Sequence, residues 1–287
     1  MPPSPVGPLA RGTPVREALD GAITAIGAAG CETPRLDAEL LLAHALGVAR
    51  ERLFIDAELS VAGPAVRTFQ DYVRRRSVLR EPVAYILGKR HFRRLELVAD
   101  PRALIPRPET ELLVEVALPL PEGWRVLDVG TGSGAVALAL KDERPDLRVT
   151  GSDLSADALA LARANSELVG LDVRWLTADL LEGVSDEFDA ILSNPPYVPD
   201  GDRAMLGPEI LRHEPTSALF AGEDGLDAIR PLLDQAAGRS SVRMLALEVG
   251  AGQAAIVSEL MRAAGFPSLR SECDLAGIER VVVGERA

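Results

Sequence analysis

Cysteine is nearly absent. Cys31 and Cys273 are the only two in 287 residues, too few for a disulfide framework and without metal-ligand spacing, so a reducing, cytoplasmic setting is expected and no metal site. No run approaches the ~18–20 apolar residues that a membrane-spanning helix needs, which excludes a membrane anchor of that kind. Met1-Pro2-Pro3-Ser4-Pro5 lacks the basic start and apolar stretch of a secretory signal and reads as a disordered tail, residues 1–12. Positive charge is also in deficit. With 31 Lys and Arg against 43 Asp and Glu, the net charge of −12 argues against direct gripping of DNA, because neutralising phosphate takes clustered cations. One cluster does exist, at Arg74, Arg75, Arg76, Arg80, Lys89, Arg90, Arg93 and Arg94. It reads equally as a solvated face or as a means of steering an anionic partner.

What is present fits a soluble globular chain: 47% apolar and 26% charged residues, enough for one or two domains with a sizeable core. Thr13-Pro14 and Thr33-Pro34 each look like a helix start, followed by helices to Gly30 and Gly47, and a third helix runs from Pro64 to about Arg80. Leu36, Leu40, Leu41 and His44 share helical spacing, so His44 is expected to be packed rather than a ligand. Residues 1–82 therefore read as a small helical domain without catalytic motifs. Phe92 to Val98 alternates and suits a hairpin in a connector, 83–105. By composition alone Pro106-Arg107-Pro108 is also a plain connector. From there strands alternate with helices to residue 287. The strands are expected at Arg125–Val129, Leu147–Asp153, Val173–Thr177, Phe188–Ser193, Met244–Val249, 268–272 and 279–283. The helices are expected near 133–142, 155–169, 225–238 and 252–264. This alternation implies an α/β, mostly parallel sheet covered on both faces.

Two stretches carry chemistry. The buried-strand pattern Val126-Leu127-Asp128-Val129 runs directly into Gly130-Thr131-Gly132-Ser133-Gly134, where glycines let a ligand approach the backbone and a helix N-terminus offers unpaired N–H groups. The same residues match a dinucleotide pattern, so the loop alone does not choose its ligand. Asp153, at the end of the next strand, can accept from both hydroxyls of a ribose; its plainer role would be to cap the following helix. Asp179 and Leu180 end the third strand, where an adenine ring would meet them. The second stretch is Asn194-Pro195-Pro196-Tyr197, at the end of an apolar strand that the prolines cannot continue.

An amide or aromatic amino nitrogen is a poor nucleophile because its lone pair is delocalised. The Asn194 side-chain oxygen and the Pro195 carbonyl can accept its two hydrogens and aim the lone pair at an electrophile, while Pro196 stiffens the turn and Tyr197 offers a flat face. A sulfonium methyl donor supplies that electrophile, whereas hydride transfer has no use for the arrangement. The chemistry selects S-adenosyl-L-methionine, leaving S-adenosyl-L-homocysteine as product.

At this point the sequence resembles the glutamine N5-methyltransferases that modify peptide chain release factors (the HemK/PrmC group). The likeness covers nearly everything from about residue 80 onward. It rests on Arg80-Glu81-Pro82, Tyr85-Ile86-Leu87-Gly88, Ile105 to Glu111, Asp128 to Gly134, Ser193 to Tyr197, His213-Glu214-Pro215, Asp224-Gly225-Leu226, and Glu248-Val249-Gly250 with Gln253. Asn-Pro-Pro-Tyr is shared with DNA adenine and some ribosomal methyltransferases; Ile105-Pro106-Arg107-Pro108-Glu109-Thr110-Glu111 is far more specific. The resemblance implies a class I, Rossmann-like methyltransferase domain (106–287) whose seventh strand is antiparallel, preceded by a helical domain that helps hold the release factor. It places the cofactor on Gly130, Thr131, Gly132, Ser133, Gly134, Asp153, Asp179, Leu180 and Asn194. It places the glutamine on Asn194, Pro195, Pro196 and Tyr197, with Arg107 and Glu109 near the pocket, which overrides the connector reading. Some relatives carry Trp where Leu180 stands.

The expected function is thus methyl transfer to the glutamine of the Gly-Gly-Gln loop in class 1 release factors, by a monomer, modulating translation termination. The alternatives are N6-adenine or other amino-group methylation of DNA or rRNA, glutamine methylation of another protein, or a non-catalytic docking module.

Overall fold

The computed structural model describes residues 12–56 and 59–286, so the expected N-terminal tail lies almost wholly outside it. The chain clusters into two compact units. One is the chain up to Gly88 together with Gly207–His213; the other is Lys89–Leu206 and Glu214 onward.

In the first unit three helices, α1 (Val15–Ala28), α2 (Pro34–Leu46) and α3 (Pro64–Ser77), pack around Ile26, Leu41, Leu42 and Phe69, all 1% exposed or less. Pro34 opens α2 and Gly47 closes it in a left-handed conformation, the expected use of proline at a start and glycine at a stop. Thr13-Pro14 pairs with Ser60-Val61 instead of entering α1. The buried stripe of α2 is Ala38, Leu41 and Leu42 rather than the Leu36–Leu40–His44 line. His44 therefore is not packed: it is exposed, with Nδ1 3.2 Å from the Tyr72 hydroxyl.

The arginine cluster is an open face only in part: Arg74 and Arg94 stay exposed, while four others are committed to carboxylates. Arg75 pairs with Glu81, Arg76 with Asp37 (2.6 Å), Arg80 with Glu209 (2.6 Å), and, in the second unit, Arg93 with Glu143 (2.7 Å). Arg76 and Asp37 are both buried. A pair held in this way is costly to break, because either partner alone would leave an uncompensated charge out of water.

The second unit is built on a seven-stranded sheet: β1 (Arg125–Val129), β2 (Arg148–Asp153), β3 (Arg174–Thr177), β4 (Ala190–Ser193), β5 (Met244–Glu248), β6 (Ser268–Cys273) and β7 (Glu279–Glu285). Their order is β6-β7-β5-β4-β1-β2-β3. The first five are parallel, and β7 lies antiparallel to both β5 and β6, so the expected mixed sheet with an antiparallel seventh strand is the observed one. Helices α4 (Glu111–Ala117), α5 (Ala135–Glu143), α6 (Ala156–Val169), α7 (Ile229–Ala237) and α8 (Ala254–Ala263) accompany the sheet. Consecutive residues of a strand serve opposite faces. Val126, Leu192, Ala246 and Val281 enter one core, while Leu127, Ile191, Leu245 and Val282 enter the other. Burial on both sides explains why the central strands read as unbroken apolar runs.

Topology and register together place the site. The chain runs outward from β1 through β2 to β3, then returns to β4 on the other side of β1, which opens a crevice between β1 and β4. Val129 pairs with Ser152 on one side and Ser193 on the other. The residues that follow, Gly130, Asp153 and Asn194, therefore emerge side by side at the carboxyl edge.

Candidate functional site: a crevice at the carboxyl edge of the sheet

The glycine loop is held from below. Asp128, buried in β1, accepts from the Thr131 hydroxyl and from the Ala137 N–H (3.2 Å), and burial pushes its carboxyl up to about 7. Thr131 N–H donates to the Ser152 carbonyl at 2.9 Å. Asp153 reaches the loop itself: Oδ2 accepts from Gly132 N–H at 2.9 Å and Oδ1 from Ser155 N–H at 2.8 Å. The cap of α6 is supplied by Ser155, whose Oγ accepts from Ala158 N–H at 3.2 Å. Asp153 is thereby free of that role and stands over the loop.

Gly134 has a different function from its neighbours. It does not line the cavity described below, but a Cβ on it would lie 2.8 Å from Trp175 and 3.2 Å from Ala162, at a φ of +82°. Left-handed strain and overpacking act together there. Gly134→Ala is expected to destabilise the protein by about 2–4 kcal/mol, read as a lowered midpoint in denaturant; an unchanged midpoint would remove Gly134 from the helix–sheet contact.

A cavity of about 380 Å³ opens in the crevice. Gly130, Thr131, Gly132, Ser133, Asp153, Asp179, Leu180, Asn194, Pro196 and Arg107 all line it. Gly134, Pro195, Tyr197 and Glu109 do not. Leu180 is held at a φ of 53°, a conformation that costs a non-glycine residue about 1–3 kcal/mol and persists where its surroundings impose it. Here the Asp179–Glu182 bridge and the bond from Leu181 N–H to Gln235 (2.7 Å) fix that corner. The Ile105–Thr110 segment is cavity wall, not linker. Buried Glu214 pairs with Arg107 and accepts from Ile105 N–H at 3.1 Å, and Arg90 donates to the Pro106 carbonyl at 3.2 Å.

The end of β4 is anchored by Ser193 Oγ donating to the Val129 carbonyl at 2.8 Å. Asn194 Nδ2 donates to Thr110 Oγ1 at 3.0 Å. Tyr197 Oη donates to Glu248 Oε1 at 3.2 Å, and the Tyr197 carbonyl accepts from Gln253 at 3.0 Å. Gly225 lies so close that a Cβ there would stand 2.2 Å from that carbonyl oxygen. Burial pushes the Tyr197 phenol well above its ordinary range, with the neighbouring Glu248 charge adding to the effect. Burial likewise raises the Glu248 carboxyl to about 7, against the nearby Thr110 and Tyr197 hydroxyls, which favour its charged form. Thr110, Glu214, Glu248 and Gln253 all stand in the motifs that carry the family likeness, yet periodicity gave none of them a role. Asn194 for Thr110, Arg107 for Glu214 and Tyr197 for Glu248 and Gln253 lie 51 to 107 positions away in the chain.

Comparison with known proteins follows this geometry. Residues 108–220 match the family described as Methyltransferase small domain, and residues 17–88 match the family described as PrmC N-terminal domain. A release factor glutamine methyltransferase of Deinococcus radiodurans is 42% identical over 277 residues, covering 95% of this chain and 99% of that one. Another, of Rhodospirillum rubrum, is 40% identical and covers 93% and 84%. Among solved structures, a methyltransferase from Pyrococcus furiosus superposes with a TM-score of 0.51 at 19% identity, over 67% of this chain and 88% of that one, a likeness of fold.

Proposed function

The chain belongs to the family of release factor glutamine methyltransferases, and from that premise we propose that it methylates the side-chain amide nitrogen of the Gly-Gly-Gln glutamine in class 1 release factors, with S-adenosylmethionine as donor. The observation that carries the reading is Asn194. It stands beside the glycine loop with its amide nitrogen engaged by Thr110, which leaves its carbonyl oxygen as an acceptor at the cavity wall.

The residues present fit the donor. Asp153 keeps a lone pair on each carboxylate oxygen beyond the two backbone bonds it accepts, enough for a pair of ribose hydroxyls. Gly130–Ser133 bring bare backbone to the cavity, and Leu180 with Ala178 gives it an apolar side for an adenine ring. When bound, the sulfonium offers an electrophilic methyl carbon and its sulfur takes the bonding pair. The chain's own residues do the rest. Asn194 Oδ1 and the Pro195 carbonyl accept the two amide hydrogens, the same dipoles meet positive charge as it develops on nitrogen, and one of those hydrogens then leaves to solvent as a proton, giving the neutral N-methyl amide. Tyr197, kept a neutral phenol, packs its ring at the acceptor side. The helical unit is assigned to holding the protein substrate.

A base in nucleic acid would satisfy the same four residues, but four of the clustered arginines available to its phosphates are committed to Glu81, Asp37, Glu209 and Glu143. Among the described residues no helix is long and apolar enough to cross a membrane; the cytoplasmic location we propose follows from the proposed substrate. Incubation with purified release factor and donor should add one methyl to the Gly-Gly-Gln glutamine by peptide mass spectrometry, and replacing that glutamine should abolish the gain. Label entering DNA or rRNA while the release factor stays unmodified would overturn the assignment.

A further inference from the structure

Leu180 lines the apolar side of the cavity from a position that suits leucine poorly. The Asp179 carbonyl accepts from Glu182 N–H at 2.8 Å, which closes a four-residue turn with Leu180 second. Its φ of 53° is one that such turns ordinarily give to glycine. A leucine left to itself relaxes to negative φ and carries its side chain off the wall, so neighbouring groups must impose the turn. A peptide group is planar, and fixing the planes on both sides of a residue therefore fixes its φ and ψ. The plane before Leu180 is held by the Glu182 bond. The plane after it is held from another element, by Gln235 in α7, whose Oε1 accepts from Leu181 N–H at 2.7 Å.

Arg239, two residues past the end of α7, holds the chain that follows. Its Nη2 donates to the Leu181 carbonyl at 2.8 Å and to the Val184 carbonyl at 2.6 Å, and its Nη1 to the Asp186 carbonyl at 3.3 Å. Bonds from a guanidinium are charge-assisted and stronger than those between neutral groups. Both bonding groups of the Leu181 main chain are thus engaged by α7 and its extension, while the Leu181 side chain is 2% exposed in the core below. Gln235 and Arg239 stand 54 and 58 positions from Leu181, outside the motifs that carry the family likeness, and neither lines the cavity. Resting on the donor reading proposed above, we propose that Gln235 and Arg239 are positioning residues that hold Leu180 against the adenine ring, so that α7 sets affinity for S-adenosylmethionine without touching it.

The test reads binding directly, by calorimetric titration of the full chain with S-adenosylmethionine. Apparent affinity falls with the fraction of molecules whose wall is in place, so a wall present about a tenth of the time weakens binding about 10-fold. That loss is expected in Gln235→Leu, which removes the acceptor, and in Arg239→Met, which removes the guanidinium. Gln235→Glu keeps an oxygen for Leu181 N–H and should restore wild-type affinity. Leu180→Gly separates positioning from general bracing. Glycine adopts the turn without strain and has no side chain to place, so adding Gln235→Leu to it should cost nothing further. Arg239→Met also strips bonds from Val184 and Asp186; if that variant does not fold, Gln235→Leu, which loses one bond, decides. Wild-type affinity in Gln235→Leu, no rescue by Gln235→Glu, or an equal loss in the Leu180→Gly background would overturn the inference. Absence of S-adenosylmethionine binding in the wild type would sink the donor reading and this inference with it, whereas binding that the variants leave intact sinks the positioning alone.

Discussion

Asn194→Ala should lower the rate of methyl transfer by on the order of 10²–10³, the cost of deleting one preplaced transition-state partner elsewhere, while binding of S-adenosylmethionine changes far less. The residue sits one position beyond the last pairing of β4, and its neighbours Ser193 and Pro195 are buried, so truncating its side chain leaves the strand end where it was. What disappears is a carbonyl dipole that does little in the ground state, when the acceptor amide is neutral, and most when its nitrogen becomes positive. The loss therefore falls on kcat rather than on KM. Single-turnover methylation within a few-fold of wild type would refute the orienting role. Asn194→Asp sharpens the test. It keeps an acceptor but removes the N–H that Thr110 receives, so Thr110 must turn its own hydroxyl proton toward the new carboxylate, whose charge also stands beside the sulfonium.

The same residue shows how far the sequence reaches. Asn194, Gly130 and Asp153 were legible because each ends or follows an apolar run, and a parallel sheet brings such ends to one edge. Sheet and helices were legible for the same reason: burial on both faces writes itself as continuous Val, Leu and Ile. The errors lie where the partner is remote. Residues around His44 have helical spacing, but which stripe of α2 turns inward depends on Phe69 and Ile26, far away in the chain. The arginine cluster looked like a surface field because sequence shows where cations stand, not which carboxylates come to meet them. The expected helix to Arg80 stops at Ser77, with Arg80 at a φ of 57° and its guanidinium turned to Glu209. Thr110 and Glu248 were visible only as letters in shared motifs. Their partners, Asn194 for Thr110 and Tyr197 for Glu248, reach them only in the folded unit.

Asp153→Ala should weaken S-adenosylmethionine by about 10- to 100-fold, since a hydrogen bond to a charged group contributes roughly 1.5–3 kcal/mol. Two losses combine in it. The carboxylate is proposed to accept from the donor's ribose, and it also holds Gly132 N–H at 2.9 Å and Ser155 N–H at 2.8 Å, so the glycine loop loses a strut at the same time. Asp153→Asn separates them. Its one side-chain oxygen can keep the Gly132 bond, but its NH₂ group cannot accept from a ribose hydroxyl, and the negative charge is gone. If the loop strut is what matters, Asn should bind nearly as well as Asp; if the ribose contact matters, Asn should fall close to Ala. Calorimetric titration with S-adenosylmethionine decides between them, and unchanged affinity in Asp153→Ala would remove the residue from the binding site altogether. The larger loss is expected on the ribose side, because the loop has further support from below, where Asp128 holds Thr131 and the Ala137 N–H at the start of α5.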